Sequence, residues 1–228
     1  MPTVISFNAI ISACQKGGQW ERALSMLNKM RKVSEPPDTI SFNAAVSACE
    51  TGVQWERAVS LFGKMQKTDT FSFNAVISAC HKGRQWERAL HFLSRMQQVG
   101  VTPTRISFNS VIRAYENDRH WERALSLMDK MKDLLVLPMC DTFNAALSVC
   151  DKAWQWQQGY SLIHKMHDER VTSDVRSFQI AISACAKSGV WQKALVLFQR
   201  MHREGAIPDT ETYNVAMLAC ERGLQAEQ

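Results

Sequence analysis

A carboxamide recurs along the chain at a near-constant step, and it follows an aromatic residue each time. The series consists of Asn8, Asn43, Asn74, Asn109, Asn144, Gln179 and Asn214. A carboxamide both donates and accepts hydrogen bonds, so one amide per step along a groove could bond the pairing edges of successive nucleobases. The same amide could instead hold the next segment of the chain by a structural bond. The residue types alone leave both interpretations open.

A second recurring group is basic and lies eight residues after the carboxamide. It consists of Lys16, Lys82, Lys152, Lys187 and Arg222. Thr51 and Asn117 interrupt the series. Cations at one fixed place per step are suited to following a phosphate backbone, and the net charge of +5 tilts in the same direction. A solvated face just after a helix is the alternative interpretation.

These residues belong to an internal repeat whose step is 35 residues and, once, 31. Tryptophan and methionine keep the same step in other positions, as Trp20 and Met30 do in the first unit. The predicted units are 4–38, 39–69, 70–104, 105–139, 140–174, 175–209 and an incomplete 210–228. Unit two is four residues short. Self-similarity at this period indicates a single repeat array over residues 1–228.

Each unit predicts two helices. The apolar residues of unit one fall on two helical stripes: Phe7, Ile10, Ile11 and Cys14, then Trp20, Ala23, Leu24, Leu27 and Met30. Ser or Thr precedes each aromatic and is suited to the first turn of a helix. A two-helix unit this short buries both stripes only by stacking on its neighbours. We therefore expect an all-α, right-handed superhelical solenoid of about 13 helices without sheet, with the tryptophans in its core.

Other classes of site find little support in the sequence. Six of the seven cysteines share one core position of the repeat, and there is no Cys-x-x-Cys pair. We find no paired acid and base, phosphate-binding glycine loop or nucleophile elbow, and no run of 18 apolar residues. The chain is therefore predicted to be a non-enzyme without metal or cofactor, and not to cross a membrane.

The motif resembles the pentatricopeptide repeat family. The resemblance rests on Phe-Asn, Ala-Cys-x-Lys-Gly, Trp-Glu-Arg-Ala-Leu, Met and Pro-Asp in this order over 35 residues, and it covers residues 2–228. It implies a monomeric adaptor that binds single-stranded RNA, one base per repeat, with possible protein effector partners. It also implies a role in RNA processing, editing, stability or translation in an organelle, the mitochondrion or the chloroplast.

The resemblance further implies which residues read each base. The residue after the aromatic would act with the last residue of its unit, in the pairs Asn8 with Asp38, Asn43 with Asp69, Asn74 with Thr104, Asn109 with Met139, Asn144 with Asp174, and Gln179 with Asp209. Asn/Asp pairs imply uracil, the other Asn pairs imply a pyrimidine, and the Gln179 pair has no assigned base. The expected target is U-U-Y-Y-U-N, with its 5′ end over the N-terminal units.

A third residue per unit would wedge against the base. Ile5, Ile40, Phe71 and Ile106 fit that role, whereas Asp141, Arg176 and Glu211 depart from it. Two other functions stay open. One is a protein-binding scaffold of the tetratricopeptide type, and the other is an accessory part of an RNA-processing enzyme. Both ends of the sequence resemble interrupted repeats, so we expect a fragment of a longer array.

Overall fold

The computed structural model describes residues 3–226, with side chains for residues 3–221. This part of the chain contains thirteen helices and no strand, which confirms the predicted all-α class. The helices are α1 Val4–Lys16, α2 Trp20–Lys32, α3 Thr39–Thr51, α4 Trp55–Phe62, α5 Thr70–Lys82, α6 Trp86–Gln98, α7 Arg105–Ala114, α8 Trp121–Asp133, α9 Cys140–Lys152, α10 Trp156–Asp168, α11 Val175–Lys187, α12 Trp191–Arg203 and α13 Thr210–Ala226. No helix in residues 3–226 is long and apolar enough to cross a membrane.

The helices form two compact units, Met1–Ala114 and Tyr115–Gln228. Within each unit, an odd-numbered helix packs against the even-numbered helix that follows it and against the odd-numbered helices of adjacent repeats. The odd-numbered helices thus form one layer of each stack, and their N-terminal turns lie in register. This is the stacking of helical hairpins that the repeat predicts.

The core lies between the two layers. The repeated phenylalanine before each carboxamide is buried, as are the methionines at the ends of the even-numbered helices. The buried phenylalanines are Phe7, Phe42, Phe73, Phe108, Phe143 and Phe178. Four of the recurrent cysteines are fully buried, and burial raises the pKa of the Cys80 and Cys150 thiols to about 12. These groups are therefore packing residues, as the sequence predicts.

The six repeated tryptophans correct the sequence prediction, because they are half-buried and lie outside the core. Each one stands at the first residue of an even-numbered helix. Trp20 packs so closely on the next repeat that a Cβ placed on Gly52 would lie 2.2 Å from its Cδ1 atom. The Arg57 guanidinium covers the Trp20 ring at 4.3 Å from its centroid. Tryptophan therefore joins neighbouring repeats at their surface, and the glycine opposite leaves room for it.

Candidate nucleic-acid interface

The last residue of a repeat caps the first helix of the next one. Asp38 accepts a hydrogen bond from the Ser41 backbone N–H at 2.8 Å, and the Ser41 hydroxyl in turn accepts from the Asp38 N–H. The same two-way cap joins Asp69 to Ser72 and Asp174 to Ser177. Since three of the predicted base-reading carboxylates are bound to helix N-termini, their positions are fixed before any ligand arrives.

The structure brings five of the predicted reading pairs into contact. The Asn8 Nδ2 atom donates to the two Asp38 carboxylate oxygens at 3.2 and 3.3 Å. The Asn144 amide bonds Asp174 at the same distances. The other three contacts are Asn43 to Asp69 at 3.4 Å, Asn74 to Thr104 at 3.3 Å, and Gln179 to Asp209 at 2.8 Å. In these five repeats an amide therefore lies beside an acceptor at the same position of the repeat.

The amide oxygens are used as well, and this was not predicted from the sequence. The Ser41 hydroxyl lies 2.6 Å from the Asn8 Oδ1 atom and 2.7 Å from the Asp38 Oδ1 atom, so its single proton serves both acceptors. In the next repeats the equivalent hydroxyls donate to amide oxygens in the pairs Ser72 to Asn43, Ser107 to Asn74 and Ser177 to Asn144. In the sequence, these bonds are marked only by the recurring Ser or Thr before each aromatic, and that residue by itself predicts a helix cap.

The amides are therefore structural links between repeats as well as candidate readers. Asn43, Asn109 and Asn144 are each 8% exposed, whereas Asn8, Asn74 and Gln179 are half-exposed. Asn214 on α13 is exposed. A bonded amide still keeps a second N–H and a second oxygen lone pair. The partly exposed members can use these groups toward a ligand.

The capping carboxylates are held in their charged form. Burial pushes the pKa of Asp38 upward, but bonds from the Ser41 N–H, the Ser41 hydroxyl and the Asn8 amide outweigh it, and the pKa falls below its ordinary value. Asp69 and Asp174 have lowered pKa values for the same reasons. For the exposed Asp209, the Thr212 N–H lowers the pKa first, followed by the Thr212 hydroxyl. At neutral pH these four residues are acceptors only.

Four large apolar side chains lie exposed on the first turns of the odd-numbered helices, three residues before the carboxamides. They are Ile5 (80% exposed), Ile40 (62%), Phe71 (54%) and Ile106 (62%), all predicted base wedges and all within the first unit. The core does not account for them, since it uses the phenylalanine two residues later in each repeat. In the second unit the same position carries Asp141, Arg176 and Glu211, which are exposed and charged.

Three of the predicted phosphate-contacting lysines are paired with a carboxylate from the preceding repeat. The Nζ atoms of Lys82, Lys152 and Lys187 lie 3.0, 3.0 and 2.5 Å from oxygens of Glu50, Glu116 and Asp151. Hydroxyl bonds hold two of these acids, from Ser78 to Glu50 at 2.7 Å and from Ser148 to Glu116 at 2.5 Å.

The acid–lysine pairs were not predicted, because each acid pairs with a lysine of the next repeat and not with a near neighbour in sequence. Each acid stands one residue before the basic position of its own repeat. Within the described side chains, Lys16 makes no ion pair. Arg222 lies outside the residues whose side chains the structure describes.

Cys140 is a further residue that the sequence analysis overlooked. Its half-buried Sγ atom lies 3.6 Å from the Asn144 Nδ2 atom and 3.7 Å from the Ser177 hydroxyl. Burial, with the nearby Asp174 charge, raises the pKa of this thiol. It is therefore a neutral neighbour of the fifth reading pair. Among the described side chains, no group of three or more His, Cys, Asp or Glu residues could hold a metal ion.

Three family models match the sequence. A model described as the PPR repeat family matches residues 2–51 and 68–115, and one described as PPR repeat matches residues 40–68. A model described as pentatricopeptide repeat-containing protein matches residues 93–201. No curated protein matches the sequence significantly.

Solved structures share the fold at low sequence identity. PPR10 in complex with an 18-nucleotide psaJ RNA element superimposes with a TM-score of 0.84 at 19% identity, over 95% of this chain and 32% of that one. PPR10 from maize gives 0.76 at 20% identity over the same shares. The PPR domain of Arabidopsis thaliana protein-only RNase P 1, in complex with tRNA, gives 0.57 at 13% identity over 97% of this chain and all of that one. The present chain thus spans about a third of the length of PPR10.

Taken together, the family models cover residues 2–201, and the helical fold of this chain is shared with the solved structures. The chain belongs to the pentatricopeptide repeat family.

Proposed function

We propose that this chain binds single-stranded RNA without catalysing its chemistry, one nucleotide per repeat, along the N-terminal turns of its odd-numbered helices. The observation that carries the proposal is the constant amide–acceptor contact between consecutive repeats, as in Asn8 with Asp38 and Asn144 with Asp174. Polar groups held in one orientation at one step per repeat match a polymer of planar, hydrogen-bonding bases.

The remaining polar capacity of these pairs favours pyrimidines, and uracil in particular. Uracil presents carbonyl acceptors beside one N–H, and an asparagine bonded on one N–H and one lone pair still offers one of each. The proposed target is U-U-Y-Y-U-N, read by the six pairs from Asn8 with Asp38 to Gln179 with Asp209. The exposed Ile5, Ile40, Phe71 and Ile106 side chains would each cover the face of a base, and an apolar contact with the ring face suits every base alike.

Two solved relatives support this proposal through what they contain. PPR10 was crystallised with an 18-nucleotide RNA element, and the Arabidopsis RNase P 1 repeat domain with tRNA. We further propose that the chain acts as an adaptor in an organelle, the mitochondrion or the chloroplast. Its role there would be in RNA processing, editing, stability or translation. Live-cell imaging of a fluorescent fusion tests the compartment, and an exclusively cytosolic or nuclear signal would contradict it.

The wedge residues give the cleanest test of RNA binding. Replacing asparagines would weaken the contact between repeats and the binding of RNA together, because each amide is already bonded across repeats. By contrast, Ile5, Ile40 and Ile106 are at least 62% exposed, so their replacement by alanine leaves the fold intact. Leu135 and Ile207, which are 88% and 82% exposed in the segments that follow α8 and α12, provide control positions outside the helices.

The measurement is fluorescence anisotropy with a labelled U-U-U-C-U-U strand, and thermal melting checks the fold. We expect the triple variant I5A/I40A/I106A to bind at least tenfold more weakly than wild type, since each lost apolar contact with a base is worth about 0.5 kcal/mol or more. The L135A/I207A control should bind as wild type does. Equal binding by all three proteins, or equal affinity for a purine-only strand, would overturn the proposal.

A further inference from the structure

The sixth repeat differs from the others at its reading position, and it borders a cavity of about 470 Å³ in the second unit. Asp151 of α9, Arg176 and Gln179 of α11, and Glu211 of α13 line this cavity. The cavity thus spans the odd-numbered helices of three consecutive repeats. It places the predicted reader Gln179 beside two charged residues that replace the aliphatic wedge.

The amide oxygen of Gln179 accepts no hydrogen bond within the described residues, unlike its counterparts in repeats one, two, three and five. In repeats one, two, three and five, a hydroxyl from the next repeat donates to the asparagine oxygen, as Ser177 does to Asn144 at 2.6 Å. In repeat six the Thr212 hydroxyl donates to Asp209 at 2.7 Å instead, and the Gln179 Nε2 atom also donates to Asp209. Among the described side chains, nothing donates to the Gln179 Oε1 atom.

The other polar groups around the cavity are mostly acceptors too. The Glu211 carboxylate makes no ion pair within the described residues, and the Asp151 Oδ1 atom is buried without a hydrogen-bond partner. Arg176 is the one exposed cation of the lining, and it is not paired within the described part of the chain. Its planar guanidinium can stack on a base where an aliphatic wedge stands in other repeats.

An acceptor-rich pocket discriminates between bases by their donors. Adenine, cytosine and guanine each carry an exocyclic amino group, whereas uracil carries only carbonyl oxygens at the corresponding positions. Uracil has one donor, its N3–H, between two carbonyl oxygens, so it can satisfy one of these acceptors while its oxygens face the others. An amino base would instead supply the hydrogen atoms that these acceptors lack.

We infer that the sixth repeat binds a base with an exocyclic amino group and rejects uracil, the reverse of the preference proposed for the Asn/Asp repeats. This inference rests on the proposed RNA-binding function and refines the sixth position of the target, which was open to any base. Arg176 is assigned the stacking role, and Gln179 and Glu211 are assigned as acceptors for the amino group.

The test varies one base of a short strand, 5′-U-U-U-U-U-X-U-3′, and measures binding to the full chain by anisotropy competition. We expect the strands with X as adenine, cytosine or guanine to bind about tenfold more tightly than the all-uridine strand. The strand U-X-U-U-U-U-U is the register control, because an amino base opposite Asn43 should weaken binding. The variant Gln179→Asn should reduce the gain at the sixth base to within twofold while the melting temperature stays within a few degrees.

The outcomes separate the two proposals. If the all-uridine strand binds and the sixth base makes no difference, or uracil is preferred there, the inference about the sixth repeat is overturned and the proposed function stands. If the amino-base gain is the same in Gln179→Asn, the assignment of Gln179 is overturned. If none of the strands binds, the proposed RNA-binding function itself fails.

Discussion

Neutralising the acids that hold the groove lysines should strengthen RNA binding. Glu50, Glu116 and Asp151 pair with Lys82, Lys152 and Lys187, and each lysine side chain is 39–49% exposed. A phosphate approaching such a lysine must compete with the carboxylate already there. The triple variant E50Q/E116Q/D151N removes the competing charge and keeps a side-chain oxygen for the Ser78 and Ser148 hydroxyls.

The magnitude follows from counterion release. Each phosphate neutralised on a single strand contributes about −0.7 to the slope of log affinity against log salt, so five free cations would give roughly −3.5. In the wild-type chain, carboxylates already neutralise three of these five cations, namely Lys82, Lys152 and Lys187. Two cations are then left to bind phosphates, and the wild-type slope should be about −1.4. Between 1 M and 0.15 M salt, one recovered contact raises the affinity by up to about fourfold, and three by up to roughly 60-fold.

The assay is anisotropy titration with the U-U-U-C-U-U strand at several salt concentrations from about 0.05 to 0.5 M. The matched control is D129N/E169Q, since those acids pair with Lys165 and Lys132 on the layer of even-numbered helices. These substitutions raise the net charge by two, against three in the triple variant, but should leave the slope near that of wild type. Because the lysine of each groove pair is 39–49% exposed and the variants keep a polar side chain of the same shape, the fold should tolerate both variants.

A steeper slope in the triple variant and not in the control supports the assignment of these lysines to phosphate contact. If both variants change binding equally, the effect is one of overall charge, and the groove assignment is wrong. Weaker binding by the triple variant would mean that the acids position the lysines for phosphate instead of competing with it.

Three further predictions test the fold. Gly52→Ala should lower the free energy of unfolding by roughly 1–3 kcal/mol in denaturant titration, because its Cβ would meet the Trp20 ring. Gly63→Ala, whose Cβ has 3.6 Å of clearance, should change it by less than about 0.5 kcal/mol, and an equal cost at both glycines would refute the packing argument. Four thiols should be silent toward DTNB at pH 8 until the chain is unfolded, because burial raises their pKa values to about 11 or 12. They are Cys49, Cys80, Cys150 and Cys185. Reaction of all seven cysteines of the native chain within minutes would contradict this. The capping aspartates have pKa values below the ordinary 3.8, so their contribution to stability is complete above that value and is lost as the pH falls through the lower folded pKa. The melting temperature should therefore fall as the pH drops below about 4, less so in Asp174→Asn, where asparagine still caps, and a flat profile would exclude the linkage.

The helices were predictable because two local signals agree in every repeat. The apolar stripe of Phe7, Ile10, Ile11 and Cys14 has helical period, and the hydroxyl residue and tryptophan mark where the two helices begin. Stacking followed because neither stripe can be buried by one hairpin. The family and the all-α fold were therefore accessible from sequence, and both are confirmed.

The errors arose where a side chain depends on the neighbouring repeat. Trp20 shares the apolar stripe of its helix, but it stands at the first residue, where cover comes from Gly52 and Arg57 of the next repeat. A stripe indicates which face is apolar and not how deeply its ends are covered. The acids beside the lysines were missed for the same reason. Glu50 lies 32 residues before Lys82, and only the register between hairpins brings them together.

The shortened second repeat shows what controls the reading geometry. Asn43 and Asp69 are 26 residues apart, whereas Asn8 and Asp38 are 30 apart, yet both pairs make the same contact, at 3.4 and 3.2 Å. The missing residues come out of α4, which has 8 residues where α2 has 13. The segment after α4, residues 63–69, is one residue longer than its counterpart 33–38, and α5 has the same length as α3. Asp69 is bound to the Ser72 N–H, so its position is set by the start of the helix that it caps. That helix is positioned by its packing on α3. Because the carboxylate belongs structurally to the following helix, the length of the connecting segment can change without moving the amide–carboxylate pair. The spacing of candidate reading sites is therefore set by helix packing, which explains how one repeat of 31 residues keeps its place in an array of 35-residue repeats.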